Sequence, residues 1–212
     1  MNMAFELANA AFKYPVIDNH AHPLLAEKNR NALPLEGIVS EASGDALTRD
    51  SRYTLANYRA TLQLSKLFDL NDSTWDALKK KRDETDYVDL CSLYLKRTGI
   101  QCILFDDGLG GVADLAESIK WHNQFTTSPS KRIVRIETEA EVILSSISSP
   151  LSSFYPKDIL RMMLNSDPAN LSTSIVSIVG ILEELTDRFK TTILAHAQDD
   201  HVVGFKSVIC YR

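Results

Sequence analysis

The sequence has 212 residues, 44% of them hydrophobic, and carries a formal net charge of -5; this suits one globular domain with a buried core, or a large piece of a bigger one. Its acidic balance and scattered Lys and Arg residues argue against a polyanion-binding surface, so nucleic acid is not an expected partner. The longest apolar run, Ile175 to Leu182, is broken by Ser177 and Gly180, Met1 to Phe12 lacks the pattern of a secretory signal, and Cys91, Cys102 and Cys210 form no CxxC pair; the expectation is a cytoplasmic chain with no membrane span and no disulfide framework.

The first predicted strand runs from Tyr14 to Asn19, with Val16 and Ile17 as its apolar pair and Asp18-Asn19-His20 as its polar stop. From Leu33 to Thr98 the spacing turns helical, with Leu55, Tyr58, Leu62 and Leu64 to Leu67, then Tyr87, Leu90, Leu93 and Tyr94, recurring at steps of three and four. Gly99 stands where a helix C-cap is expected, and Ile100 to Phe105 reads as a second buried strand stopped by Asp106-Asp107-Gly108. Val112 to Phe125 is again helical, with Leu115, Ile119 and His122 on one face, and Ser128-Pro129-Ser130 breaks it before a third strand, Arg132 to Ile136. Pro150, Pro156 and Pro168 separate further helical segments; the last, Ser174 to Phe189, presents Ile175, Ile178, Ile181, Leu182 and Leu185 to a core. Val202 to Tyr211 forms a final strand.

Strands alternating with helices imply parallel pairing through right-handed crossovers, in either a closed barrel or an open doubly wound sheet. The count of about four strands is half that of an eight-stranded barrel of about 250 residues. A half barrel leaves edges open, which points to truncation or to a partner. No internal repeat or low-complexity linker divides the chain.

The sharpest local signal is His20-Ala21-His22, directly after the first strand. Alternation along extended backbone points both imidazoles to one side, where neutral rings suit zinc or a related divalent ion. Taken alone, HxH reads equally as two histidines in a polar loop. Its position, together with the polar ends of the second strand at Asp106 and Asp107 and of the third at Glu137, favours several strand ends sharing one mouth. Asp106 and Asp107 either orient a ligand from behind or cap the next helix. His196 and His201 are expected in a solvated loop at the opposite end, and His122 as a packed or capping residue. Gly108, Gly110 and Gly111 lack the GK[ST] ending of a phosphate loop, and no GxSxG elbow is present.

The segment Val16-Ile17-Asp18-Asn19-His20-Ala21-His22-Pro23-Leu24-Leu25 resembles the opening of the amidohydrolase-like domain of FluG-type proteins, which are related to plant nodulin and glutamine synthetase fusions. Ser40-Glu41-Ala42, Ile103 to Leu109, Arg132 to Glu137 and Val203 to Ser207 keep that family's order over nearly the whole chain. The resemblance implies an α/β fold: a partial (β/α) TIM-type barrel of the amidohydrolase superfamily, filling residues 1–212 as one incomplete domain, with a helical insertion over 33–98 after the first strand.

The resemblance also implies metal-dependent hydrolysis of a carbon-nitrogen bond in a small amide, such as a γ-glutamyl compound, with His20 and His22 as metal ligands, Lys206 or Glu137 as a bridge between two metals, and water as the nucleophile. Zinc is the expected ion, with manganese or iron as alternatives; binding should be weak, because the ligands of the later barrel strands are absent from the sequence. Lys206 bridges only as a carbamate; unmodified, it would pair with a carboxylate such as Asp107 or Glu137, and both readings stand. The rival expectation is a non-catalytic module that associates with a glutamine synthetase-type domain, or with itself, through the open barrel edge.

Overall fold

A computed structural model describes residues 3–108, 113–147 and 168–211. Four short strands, β1 (Val16–Ala21), β2 (Ile100–Asp106), β3 (Lys131–Arg135) and β4 (Val202–Lys206), form one sheet in the order β1-β2-β3-β4. β2 with β3 and β3 with β4 pair in parallel, in registers that set Asp106 opposite Ile133 and Arg135 opposite Lys206. The expected mixture of α and β with a parallel sheet is therefore present. β4 is shorter than the sequence pattern implies: it ends at Lys206, and a 3-10 turn takes over at Ile209–Tyr211. The chain divides into two compact units, Met1–Ile103 with Gly111–Ser130, and Leu104–Gly110 with Lys131–Arg212, so that β2 runs from one into the other.

The first unit contains α1 (Met3–Lys13), α2 (Leu55–Leu67), α3 (Trp75–Glu84) and α4 (Tyr87–Lys96). The last three begin on side-chain caps, which supply acceptors for otherwise orphaned first-turn N–H groups: Thr54 accepts from Asn57 N, Thr74 from Ala77 N, and Asp86 from Val88 N and Asp89 N. Phe68, Trp75, Leu78 and Leu90 make one core cluster, and Tyr87, Cys91 and Phe125 another. Glu36 is buried there and accepts hydrogen bonds from Trp75 Nε1 at 3.0 Å and Lys79 Nζ at 3.1 Å, so its carboxylate is paired rather than stranded. Gly99 adopts φ +70°, the left-handed conformation expected of a helix-terminating glycine.

Two expectations for this unit are corrected. α2 turns Asn57, Thr61 and Ser65 inward and leaves Leu55, Tyr58 and Leu62 exposed, the reverse of the face its leucines suggest. The segment read as one helix over Val112 to Phe125 contains 3-10 turns at Ala113–Leu115 and Ile119–Gln124, with an isolated antiparallel bridge from Ala116 to Leu25 between them. The bridge uses backbone groups that a continuous helix would have kept for itself.

The second unit places α5 (Ile136–Ser146) directly after β3, and α6 (Pro168–Ala197) before β4. Phe105, Val134, Ile143 and Ile147 are buried. Along α6 the half-buried residues Ile181, Leu185, Phe189, Ile193 and His196 recur at steps of three and four, as a helix with one packed stripe requires, while Leu182 is exposed. The breaks expected at Pro150 and Pro156, and the side chains of Ile175 and Ile178, lie outside the described residues.

His196 is a further correction. It sits in the last turn of α6, half-buried, with Nε2 3.3 Å from Glu139 and Nδ1 3.4 Å from Arg132 Nη1. Arg132 also holds Asp107 through Nε at 2.9 and 2.8 Å, and Glu139 through Nη2 at 3.1 Å. The ring is recruited by this charged cluster, which a loop assignment could not anticipate.

Candidate metal centre

β1 delivers His20, and His22 follows one residue beyond its end. Being two residues apart on extended backbone, the rings share a side, with centroids 5.4 Å apart. The backbone N–H of His20 donates to Asp18 Oδ1 at 3.2 Å.

The chain leaving the motif is fixed by the 113–122 segment. Leu24 N–H donates to His122 Nε2 at 3.1 Å, Glu117 N–H donates to Leu24 O at 2.8 Å, and Ala26 N–H donates to Leu115 O at 2.8 Å. The Tyr87 hydroxyl donates to Leu25 O. Since His122 Nε2 accepts, its proton sits on Nδ1, which lies 2.9 Å from the Ser118 carbonyl. Burial pushes this imidazole down from its ordinary pKa, against the Ser118 hydrogen bond and the Glu117 charge. His122 is thus the packed residue expected, and it anchors the segment that follows the two exposed ligand candidates.

Asp106 closes β2 and is fully buried. Period-two alternation and the strand registers set Asp106, Ile133, Arg135 and Lys206 on one face of the sheet, while Phe105 and Val134 occupy the other. On the polar face Asp106 Oδ1 accepts from Gly108 N at 3.1 Å and Arg135 Nε at 3.2 Å, and Oδ2 accepts from Arg135 Nη2 at 2.6 Å and lies 3.1 Å from Lys206 Nζ. Burial disfavours the carboxylate, yet the hydrogen bonds from Arg135 and Lys206 and the Arg135 charge outweigh it and hold the pKa down at about 2.

Two imidazoles on one side of extended backbone are a donor pair that suits a divalent ion. Of the residues singled out in the sequence, the structure pairs His20 with His22 in the first unit and, in the second, brings Asp106 and Lys206 together with Arg135 in one charged group. Glu137 lies in the first turn of α5 and outside this group; its Oε1 accepts from Ser207 Oγ at 2.5 Å and Val208 N at 2.9 Å, which keeps its carboxyl below the usual range. Asp107, read together with Asp106 as an orienting or capping residue, turns to Arg132. Sequence reasoning missed Arg135. The signal was there, because two arginines in the five-residue strand Lys131–Arg135 demand partners, and the paired aspartates ending the previous strand supply them.

Compared with known proteins, the chain is 36% identical over 207 residues to protein fluG of Emericella nidulans, a match covering 94% of this chain and 21% of that protein. The chain therefore spans about a fifth of the length of the curated relative it matches. It is FluG-related over nearly its whole length. No family model matches it. No solved structure matches it either.

Proposed function

We propose that this chain carries the first strands of an amidohydrolase-like (β/α) barrel, with a site at the strand ends that binds a divalent metal and serves hydrolysis of a small amide. The observation that carries the reading is the His20–His22 pair, whose rings share one side at the end of β1 with centroids 5.4 Å apart. The sequential order β1-β2-β3-β4 supports it too, since a barrel adds parallel strands in order where a doubly wound sheet reverses at a switch point. FluG relatedness agrees with the resemblance of the HxH segment and of the later segments in their order.

In this reading His20 and His22 hold the ion as neutral donors. Arg135 keeps Asp106 ionised and fixes the plane of its carboxylate through two donors. A bound divalent ion contributes a lowered pKa of coordinated water and polarisation of the scissile carbonyl. Zinc suits the donors best; iron and manganese are the alternatives.

Zinc content measured by mass spectrometry, after loading and desalting the purified chain, tests this directly. The expected result is about one ion per chain, lost in His20→Ala and in His22→Ala. Equal zinc in the parent and in both variants would sink the proposal. A second reading, an association module, draws on the exposed apolar side chains Val203 and Phe205 of edge strand β4 and Ile209 beyond it. Zinc-free protein that sediments as an oligomer would favour that module.

A further inference from the structure

Every residue of the 11-residue helix α1 is exposed, although most of its side chains are apolar. A lone helix of that length is marginal in water, because so few residues do not repay the cost of nucleation. It calls for a covering surface, yet Met3 is 81% and Leu7 71% exposed. Helical spacing sets Met3, Leu7, Ala10 and Tyr14 in one stripe. Tyr14 joins it through its N–H, which donates to Ala10 O at 3.0 Å. Glu6 and Lys13 are the two charged side chains of the helix and, seven residues apart, stand on the same flank of that stripe. Ala4 and Ala11 stand on the other flank, and Phe5 and Phe12 lie on the far side.

We propose that α1 is a self-association surface, pairing antiparallel about a twofold axis with α1 of a second copy of this chain. The stripe is self-complementary in that arrangement: Leu7 meets Ala10 of the other copy, and Met3 meets Tyr14. On one flank Glu6 meets Lys13 of the other copy, and the axis repeats the pair. On the other flank Ala4 meets Ala11, where small side chains let the two helices approach closely. A parallel pair would set Glu6 beside Ala11 and Lys13 beside no acid, leaving both charges unpaired, so charge selects the antiparallel form. The surface lies wholly within the first unit and is independent of the metal reading. Two helices this short bury less than the roughly 1,200 Å² of a standard interface, so the association is weak and depends on concentration.

Sedimentation equilibrium of the full chain, from about 10 to 500 μM, separates the outcomes. The mean mass of the parent should rise from monomer towards dimer. Glu6→Lys and Lys13→Glu should each weaken association about tenfold. The double variant should recover it, and an equimolar mixture of the two single variants should associate as strongly as the parent. Because that mixture contains the same chains that fail alone, its recovery separates pairing from any change in helix stability. A parent that stays monomeric throughout overturns the proposal. Association that withstands both single reversals overturns it too; loss in Val203→Lys would then assign the contact to the β4 edge, and loss in Phe12→Ser to the far side of α1. A double variant and a mixture that associate no better than the single variants overturn the antiparallel pairing.

Discussion

At the scale of single residues, the site depends on how closely Gly108 approaches β3. An alanine Cβ at that position would fall 2.6 Å from Arg135 Cβ, closer than such atoms come to one another, and 3.1 Å from Thr138 Oγ1, a tight contact. Gly108→Ala should therefore push Arg135 off Asp106 and leave a buried carboxylate short of donors. The expected cost is about 1–3 kcal/mol in urea unfolding; an unchanged midpoint would show that Arg135 does not need this approach. Asp106 was legible as a polar strand stop, and His20 and His22 as a pair sharing one side. The partnership of Asp106 with Arg135 was not legible, because 29 residues separate them and only the β2–β3 register brings them together.

At the scale of elements, the helix caps and the polar strand stops were readable because each is a local contract between a side chain and the nearest orphaned backbone groups. The orientation of α2 was not. Periodicity shows that a helix has stripes, but which stripe is covered depends on what stands beside it. Here the covered stripe is the one with small polar side chains, where Thr61 Oγ1 bonds back to Asn57 O at 2.8 Å. Two substitutions separate the alternatives. Leu62→Gln on the exposed stripe should change unfolding free energy by less than about 0.5 kcal/mol, whereas Leu78→Ala in the α3 core should cost about 2–5 kcal/mol. A large loss at Leu62 would restore the leucine face as the packed one.

At the scale of the whole molecule, stability should fall with acidity in two stages, each belonging to the first unit. His122 is buried, with Nε2 accepting a hydrogen bond, and its pKa is lowered on folding. The unfolded chain therefore binds more protons, and stability begins to fall as pH drops below about 6.5. Glu36 is opposed by burial but held below its usual value by backbone, Trp75 and Lys79 hydrogen bonds. Its contribution is complete above about pH 4.3 and is lost as pH falls below that. Thermal melts between pH 8 and pH 3 should show both declines, with the upper one reduced in His122→Asn. A flat profile from pH 8 to pH 5 would contradict the buried neutral imidazole. The parallel sheet was the most legible global feature, since strand patterns alternating with helical ones imply it, while nothing in the spacing announced a division that cuts through β2.

The grip of Glu137 on Ser207 and Val208 has one more consequence for the residue just before them. Lys206 is pinned on both sides, by the β3 ladder on one and by this carboxylate on the other, so its main chain has no slack. Moving that backbone would break hydrogen bonds on either flank, so the end of β4 is tied to the start of α5.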